Sequence, residues 1–444
     1  MRTLAEWLSL QESVHPQSID LGLERVGRVA AALGVAAPAF PVITVAGTNG
    51  KGSVAAHLEA LLSAVGARTG LFTSPHLIRY NERIRVGGRE VSDAELIAVF
   101  EGIEAARGAT TLTFFEYNTL AALAIFTQAR VDAAVLEVGL GGRLDATNLV
   151  TADAAVLASV GFDHREWLGD TLELIGAEKA GIFRANRPAV LGTPQMPSTV
   201  YAAIAGLGAR AVVAERDFSW QIAGTDWDYQ GLVLSLESLP RSALAGAIQY
   251  RNAATASAAL EALRSSGNPR PEIGPLAARL TALDEHTVAT ALERVRLAGR
   301  FQIIPGEVEW ILDIAHNEPA ARVLAEQLRA RPLPEGATGA TGVKDAGRTF
   351  AVIGVLADKD AAAIGVALAG VIDHWIVCTL PGPRGTSAAE LAARLAPRAA
   401  SLELAGSVVA GCESARARAQ PGDRVVVCGS VYTVSPALQW LRVY

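Results

Sequence analysis

Short runs of Val, Ile, Leu and Ala alternate with helix-period patterns along most of this chain. A mostly parallel sheet flanked by helices requires that alternation. In the first part the runs predict strands near 42–46, 69–73, 133–138, 154–159, 188–192 and 211–215. Helices are predicted over 53–65, 93–107 and 116–129, the first of them amphipathic through Ala55, Leu58, Leu61 and Leu62. The polar, Trp-bearing stretch 218–239 predicts a small antiparallel excursion, and 252–263 a further helix. A second series begins near Gly299, with strands over 310–314, 350–355, 375–378 and 424–428 and Ala-rich helices between them. The expected fold is therefore α/β: a mostly parallel sheet domain over 1–297, then a smaller Rossmann-like α/β domain over 298–444. The hinge is expected near 296–299. Residues 331–348, rich in Pro and Gly, are expected to form a mobile loop without a chemical role.

Composition narrows the function classes. At 444 residues the chain is too long for one core, and with half its residues apolar it has ample material for two. A net charge of −6 argues against nucleic acid as the main partner. Cys378, Cys412 and Cys428 are far apart in sequence, so neither a disulfide framework nor a metal pair is expected, which suits a reducing cytoplasm. Neither a signal peptide nor a membrane span is expected. Only Lys51, Lys179, Lys344 and Lys359 are lysines among 39 basic residues. Where arginine otherwise supplies positive charge, a retained lysine suggests a compact charge or an amine able to lose its proton. Lys344, in the Gly-rich stretch, is read as incidental.

The strongest motif is Gly47-Thr48-Asn49-Gly50-Lys51-Gly52-Ser53, between an apolar run and a helix pattern. Glycines let backbone N–H groups turn inward around an anion, the helix presents its positive end, and Lys51 reaches the outer phosphates. This is a P-loop-type triphosphate loop, with Ser53 one place later than the usual spacing. A second strand, ending at Glu137, runs into the glycine-rich turn 139–142. In open parallel sheets ligands gather at the carboxyl ends of strands. A carboxylate there suits Mg²⁺, which prefers hard oxygen ligands. Ser74 and His164 follow two further strand ends and are candidate metal ligands. In the second part Arg300, Asp313, His316 and the 358–360 acidic-Lys-acidic run sit at strand ends or the hinge. They are expected to line one cleft between the domains.

These motifs together resemble the folylpolyglutamate synthase and dihydrofolate synthase family, a branch of the Mur-type ATP-dependent amide ligases. The likeness covers nearly the whole chain, through residues 19–25, 47–53, 74–77, 137–148 and 178–181, then 299–301, 313–317, 358–360, 383–385 and 428–430. It looks most like the bifunctional type. The resemblance implies that Thr48, Asn49, Gly50, Lys51, Asn252, Arg300 and Asp313 contact ATP, and that Ser74, Glu137 and His164 hold magnesium, with two Mg²⁺ ions in all. It implies a CO₂-derived carbamate on Lys179, and chemistry by Lys51, Lys179 and His316. The pterin-bearing acceptor is expected against Ser13, Val14 and His15, against Thr113, Phe114, Phe115 and Glu116, and against Leu144, Asp145 and Ala146. Phe114 and Phe115 suit a flat heteroaromatic ring. In one departure from the family pattern, Glu318 intervenes between Asn317 and Pro319.

The reaction so implied joins L-glutamate to dihydropteroate, and to the γ-carboxylate of folyl glutamates, through an acyl phosphate made with ATP. The partners are these small molecules alone, and the enzyme is expected to be cytoplasmic and monomeric. A related ligase acting on cell-wall precursors would share the ATP residues. A P-loop kinase or GTPase would not need the second domain, and a non-catalytic nucleotide-binding regulator would leave Lys179, His164 and Asp313 without a purpose.

Overall fold

The computed structural model describes residues 2–268, 270–333, 347–395 and 401–444. Lys344 and most of the 331–348 stretch lie outside these described residues. The chain divides into two compact units, one of Met1–Ala243 with Gln249–Arg296, the other of Leu244–Ile248 with Leu297–Tyr444.

The first unit is built on an eight-stranded sheet. Its strands in chain order are β1 (Val42–Ala46), β2 (Thr69–Phe72), β3 (Ile84–Val86), β4 (Arg89–Glu90), β5 (Ala133–Glu137), β6 (Ala154–Leu157), β7 (Pro188–Leu191) and β8 (Arg210–Val213). They lie in the order β4-β3-β2-β5-β1-β6-β7-β8. From β2 to β8 all neighbours are parallel, while β3 and β4 add an antiparallel edge. The hairpin β3–β4 had no counterpart in the sequence reading, because two- and three-residue strands leave too short a pattern to register. Successive residues of a strand face opposite sides of a sheet. Accordingly Ile43 and Val45 enter one core with the helices Lys51–Ala64 and Ile248–Arg264, while Val42 joins a second core with Phe100, Tyr117 and Phe126. A third core gathers Ala46, Ile182 and Leu191 beneath the helices Leu172–Ala180 and Ser198–Leu207.

The helix Lys51–Ala64 corrects the amphipathic expectation. Gly52 through Glu59 are all buried, as are Leu61 and Leu62. A sheet on one side, and the helices Ile248–Arg264 and Glu285–Arg294 on others, cover faces that a polar pattern would have left to solvent. Its one imidazole, His57, is enclosed between the Ser53 carbonyl at 2.7 Å and Ser242 Oγ at 2.9 Å, and burial pushes its pKa down to about 4.

The stretch 218–239 forms three antiparallel strands, β9 (Ser219–Ala223), β10 (Asp226–Gln230) and β11 (Ser235–Leu239). Gly224, at φ +65°, makes the tight β9–β10 turn possible. Glu261, on the helix Ile248–Arg264, accepts Tyr229 Oη at 2.6 Å and the Val233 and Leu234 N–H groups at 2.7 and 2.9 Å, and so joins this sheet to the helix.

The second unit carries a six-stranded sheet of β12 (Gln302–Ile304), β13 (Glu309–Asp313), β14 (Thr349–Ile353), β15 (His374–Cys378), β16 (Leu402–Ala405) and β17 (Arg424–Cys428). The order is β12-β13-β17-β14-β15-β16, parallel except for β12. The strands β12 and β16 lay outside the sequence reading; both edge strands are only half-buried, and their apolar signal is correspondingly weak. Far apart in sequence, Cys378, Cys412 and Cys428 all fall in this unit as buried free thiols. Pro319 lies in the first turn of the helix Glu318–Arg329, which Asn317 caps by accepting the Ala320 N–H at 3.0 Å. A proline there removes an N–H that has no helical partner anyway, so the extra Glu318 is absorbed without distortion. Among the described residues no helix is long and apolar enough to cross a membrane.

Candidate functional site

In the first unit β1 lies between β5 and β6, so the chain segments leaving these three strands emerge side by side. Strand order reverses there, the position at which open α/β sheets bind ligands. Out of β1 comes the loop 47–50, with Gly47 at φ +152° and Gly50 at φ +86°. Two features require glycine at 47. The backbone angle is one, and the other is that a Cβ would stand 3.2 Å from both Ala158 Cβ and Ser159 N.

The loop is fastened to the segment after β6. The Thr48 N–H donates to the Ser159 carbonyl at 2.9 Å, and the Asn49 N–H to Ser159 Oγ at 3.1 Å. Thr48 Oγ1 donates to the Gly161 carbonyl and accepts the Gly161 N–H, both at 3.0 Å. Thr48 and Asn49 are thus held rigidly by their own backbone and side-chain bonds. Ser53, one place late in the motif, is 3 % exposed and lies in the first turn of the helix Lys51–Ala64.

Two lysines meet at this loop. Lys51 Nζ donates to the Gly47 and Thr48 carbonyls at 2.9 and 3.1 Å. Lys179 Nζ, 132 positions away in sequence, donates to the same Gly47 carbonyl at 3.2 Å. Lys179 is not a helix-surface lysine but is 5 % exposed. Burial first, and then the neighbouring Lys51 charge, lower its pKa from 10.5 to about 7, against the pull of Asp163 and Asp145. Its amine is therefore available in neutral form near physiological pH.

The remaining first-unit residues cluster at the neighbouring strand ends. Glu137, 3 % exposed at the end of β5, accepts the Ser74 N–H at 3.1 Å, so the Ser74 and Glu137 segments are adjacent. His164, after β6, has φ +51° and places Nε2 3.9 Å from Asp163 Oδ2. Among the described residues no group of three or more His, Cys, Asp or Glu stands ready to hold a metal ion. A set of one hydroxyl, one carboxylate and one imidazole suits an ion that keeps several waters and takes oxygens from its substrate, as Mg²⁺ does. Asn252, 2 % exposed, has Oδ1 3.3 Å from where a Gly50 Cβ would lie, which places it at the loop.

Sequence reasoning missed Arg251. Its Nη2 is 3.9 Å from the same point at Gly50, and burial lowers its pKa. The surplus of arginines in this chain hid it, since one arginine among many gives no signal.

The turn 139–142 is shaped by what presses on it. A Cβ on Gly139 would strike the Phe115 ring at 2.6 Å, and one on Gly142 would meet the Lys179 carbonyl at 2.8 Å. The turn thus lies between the aromatic residue and the lysine-bearing helix. Asp145, fully buried, accepts the Gly139, Leu140 and Thr147 N–H groups at 3.1, 2.9 and 3.0 Å and Thr147 Oγ1 at 2.6 Å. Those bonds give Asp145 a stapling task; Ala146 is buried beside it and Leu144 half-buried.

Thr113 caps the helix Phe114–Ala129 in a reciprocal box with Glu116, which presents Phe114 and Phe115 in its first turn. The Arg83 guanidinium stands 5.4 Å from the Phe114 ring centroid. His15 ends the first helix, with Val14 half-buried before it, while exposed Ser13 spends its hydroxyl on the Leu10 carbonyl.

In the second unit Asp313, at the end of β13, accepts the Phe301 and Ala315 N–H groups, each at 2.8 Å. Burial raises its pKa, and Arg300 opposes the rise. His316 Nδ1 pairs with the Ile314 carbonyl at 2.9 Å. Lys359 is buried with Nζ 3.5 Å from Asp358, whose carboxylate also holds Arg384 at 2.9 Å.

Comparison with known proteins agrees along the chain. The Mur ligase middle domain matches residues 45–193, and the Mur ligase glutamate ligase domain matches 299–431. The dihydrofolate synthase/folylpolyglutamate synthase of Escherichia coli is 43 % identical over 98 % of this chain and 95 % of its own. The Haemophilus influenzae protein of the same name is 39 % identical over 97 % and 96 %. Among solved structures, E. coli FolC in complex with DHPP and ADP superposes with a TM-score of 0.88 at 42 % identity, covering 99 % of this chain and 98 % of that one. A bifunctional folylpolyglutamate synthase/dihydrofolate synthase with Mn, AMPPNP and L-glutamate bound gives 0.86 at 39 % identity, over 100 % and 99 %.

Proposed function

This chain belongs to the Mur ligase family, among the dihydrofolate synthase/folylpolyglutamate synthases, and on that premise we propose that it is an ATP-dependent ligase of both activities. It joins L-glutamate to dihydropteroate, and to the γ-carboxylate of folyl glutamates. The observation that carries the reading is the meeting of Lys51 and Lys179 on one carbonyl of the phosphate loop, beside the Glu137 strand end.

A carboxylate is a poor electrophile, so the γ-phosphoryl of ATP is first transferred to it, giving an acyl phosphate and ADP. The glutamate amine then attacks the acyl carbon, loses a proton, and phosphate leaves. Little covalent work falls to the protein in such a transfer; its contribution is positioning and fixed charge. Lys51 supplies a mobile cation to the transferring group, and the backbone of Thr48, Asn49 and Gly50 cradles the phosphates. Asn252 supports the nucleotide beside Gly50, and the family likeness assigns Arg300 and Asp313 to ATP as well. Mg²⁺, held by Ser74, Glu137 and His164, would offset the charge on the phosphate oxygens when bound. The neutral Lys179 amine can add CO₂ and release a proton, becoming a carbamate whose oxygens serve as hydrogen-bond acceptors. An arginine could not do this, which accounts for a lysine at this position in a chain that prefers arginine. The acceptor lies against His15, Phe114 and Phe115, with the stapled 144–146 segment beneath Phe115's neighbour Gly139. His316 is assigned to the glutamate-transfer step. A cytoplasmic monomer acting on small molecules completes the reading.

The test is ADP release with ATP, Mg²⁺ and L-glutamate, comparing dihydropteroate with tetrahydrofolate as acceptor. Glutamate-dependent turnover with both is expected. Turnover with one alone would reduce the assignment to a single synthase activity, and turnover with neither would overturn it.

A further inference from the structure

Two segments assigned above to the acceptor, one around His15 and one at 113–116, are about a hundred positions apart in sequence. A continuous polar chain joins them. His15 Nδ1 lies 3.0 Å from the Gln17 carbonyl oxygen and 3.1 Å from the Gln17 N–H, and its Nε2 stands 3.3 Å from Asp20 Oδ2. Arg25 Nη1 donates to the same Asp20 oxygen at 2.5 Å, and Nη2 to the Asp20 carbonyl at 2.8 Å. The other edge of the guanidinium faces Glu116, with Nε 3.2 Å from Oε2 and Nη2 3.2 Å from Oε1. Glu116 Oε2 in turn accepts the Thr113 N–H at 2.7 Å and Thr113 Oγ1 at 3.0 Å.

We propose that Arg25 is a positioning residue for the acceptor, a side chain that sets the His15–Asp20 segment against the helix turn presenting Phe114 and Phe115. The inference rests on the functional reading above and deepens it. A planar guanidinium is needed because the two carboxylates lie on different edges of the fork; an ammonium is a point charge and cannot hold both in fixed directions. The guanidinium is well shielded, at 19 % side-chain exposure, and the Glu116 carboxylate more so, at 4 %. Screening by solvent therefore weakens this bridge far less than it would a surface pair. The side-chain bonds of Arg25 go to Asp20 and Glu116, and none among the described residues reaches the 47–50 loop or Lys179, so its loss should fall on the acceptor alone.

The experiment measures steady-state ADP release for wild type, Arg25→Gln and Arg25→Lys, with separate KM values for dihydropteroate and ATP. For Arg25→Gln, loss of charge-assisted bonds to two carboxylates should raise the dihydropteroate KM roughly tenfold or more. The ATP KM should stay within about twofold, since uniform loss of acceptor binding leaves the nucleotide unaffected. Arg25→Lys should recover part of the defect. An unchanged dihydropteroate KM in a folded variant would overturn the inference, as would equal losses against ATP and acceptor, the mark of general destabilisation. Asp20→Asn supplies the same test from the other side of the bridge should Arg25→Gln not fold, with the same expected and overturning results. A wild-type enzyme without glutamate-dependent turnover would remove the functional reading itself, and this inference with it. Active wild type with indifferent variants would remove only the role of Arg25.

Discussion

Lys179 shows how far one residue's chemistry depends on where the fold puts it. In water its amine would be protonated at any physiological pH. Burial and the Lys51 charge bring its pKa to about 7, so the neutral, CO₂-reactive form grows from a minority below pH 7 to the majority above it. Two outcomes are expected. Activity at fixed total CO₂ should rise through pH 7, and a carbamate carbon should become visible by ¹³C NMR on the alkaline side. Lys179→Arg keeps the charge, cannot lose it, and should lower kcat by about a hundredfold or more, the usual cost of removing a fixed group from a charge-stabilising site. A flat pH profile with no carbamate signal would sink the assignment. The lysine's scarcity made it conspicuous in the sequence. Its burial and its bond to Gly47 were not legible, because the partner is 132 positions away. Arg251 gave no signal for the opposite reason, as one among many arginines, and Arg25 entered only as the end of the 19–25 segment, with no sign of its carboxylate partners.

At the level of elements, helices and strands were read from local periodicity, and the errors mark where neighbours override it. The helix Lys51–Ala64 is apolar enough for one buried face, yet it is enclosed on nearly all sides. The sheet β9–β11 packs Trp227, Tyr229, Leu236 and Leu239 into the core and is also tied to the helix Ile248–Arg264 by a distant carboxylate. Glu261 is 1 % exposed and holds one tyrosine hydroxyl and two backbone N–H groups. Replacing Glu261 by Ala would leave buried donors unpaired, and the expected cost is about 3 kcal/mol. Urea denaturation followed by tryptophan fluorescence would report it, since buried Trp227 lies in β10. A change under about 0.5 kcal/mol, the range of an ordinary surface substitution, would show that the sheet is held by its apolar contacts instead.

Over the whole molecule, each unit has its own cores and a sheet of its own. A ligand that binds only folded protein stabilises it by mass action, by about 2.7 kcal/mol at a hundredfold excess over Kd. AMP-PNP with Mg²⁺ should therefore raise the thermal midpoint of this protein, and the rise should disappear with EDTA or in Lys51→Ala. A nucleotide shift that survives both treatments would place the triphosphate elsewhere. The sequence by itself determined the alternation of strands and helices, the glycine-rich loop after β1, and the glycine-rich turn after Glu137. These are local signals, because backbone turns and periodic burial depend on residues a few positions apart. Only the tertiary structure decided which side chains share a site. Strand order put β5 and β6 on either side of β1, and the fold brought Ser159 and Lys179 to the loop after β1 and Glu137 to Ser74. It also set Arg25 between Asp20 and Glu116, and Phe115 against Gly139. Hydrogen bonds and ring contacts act over a few ångströms in space, and chain connectivity does not encode which distant residues come that close.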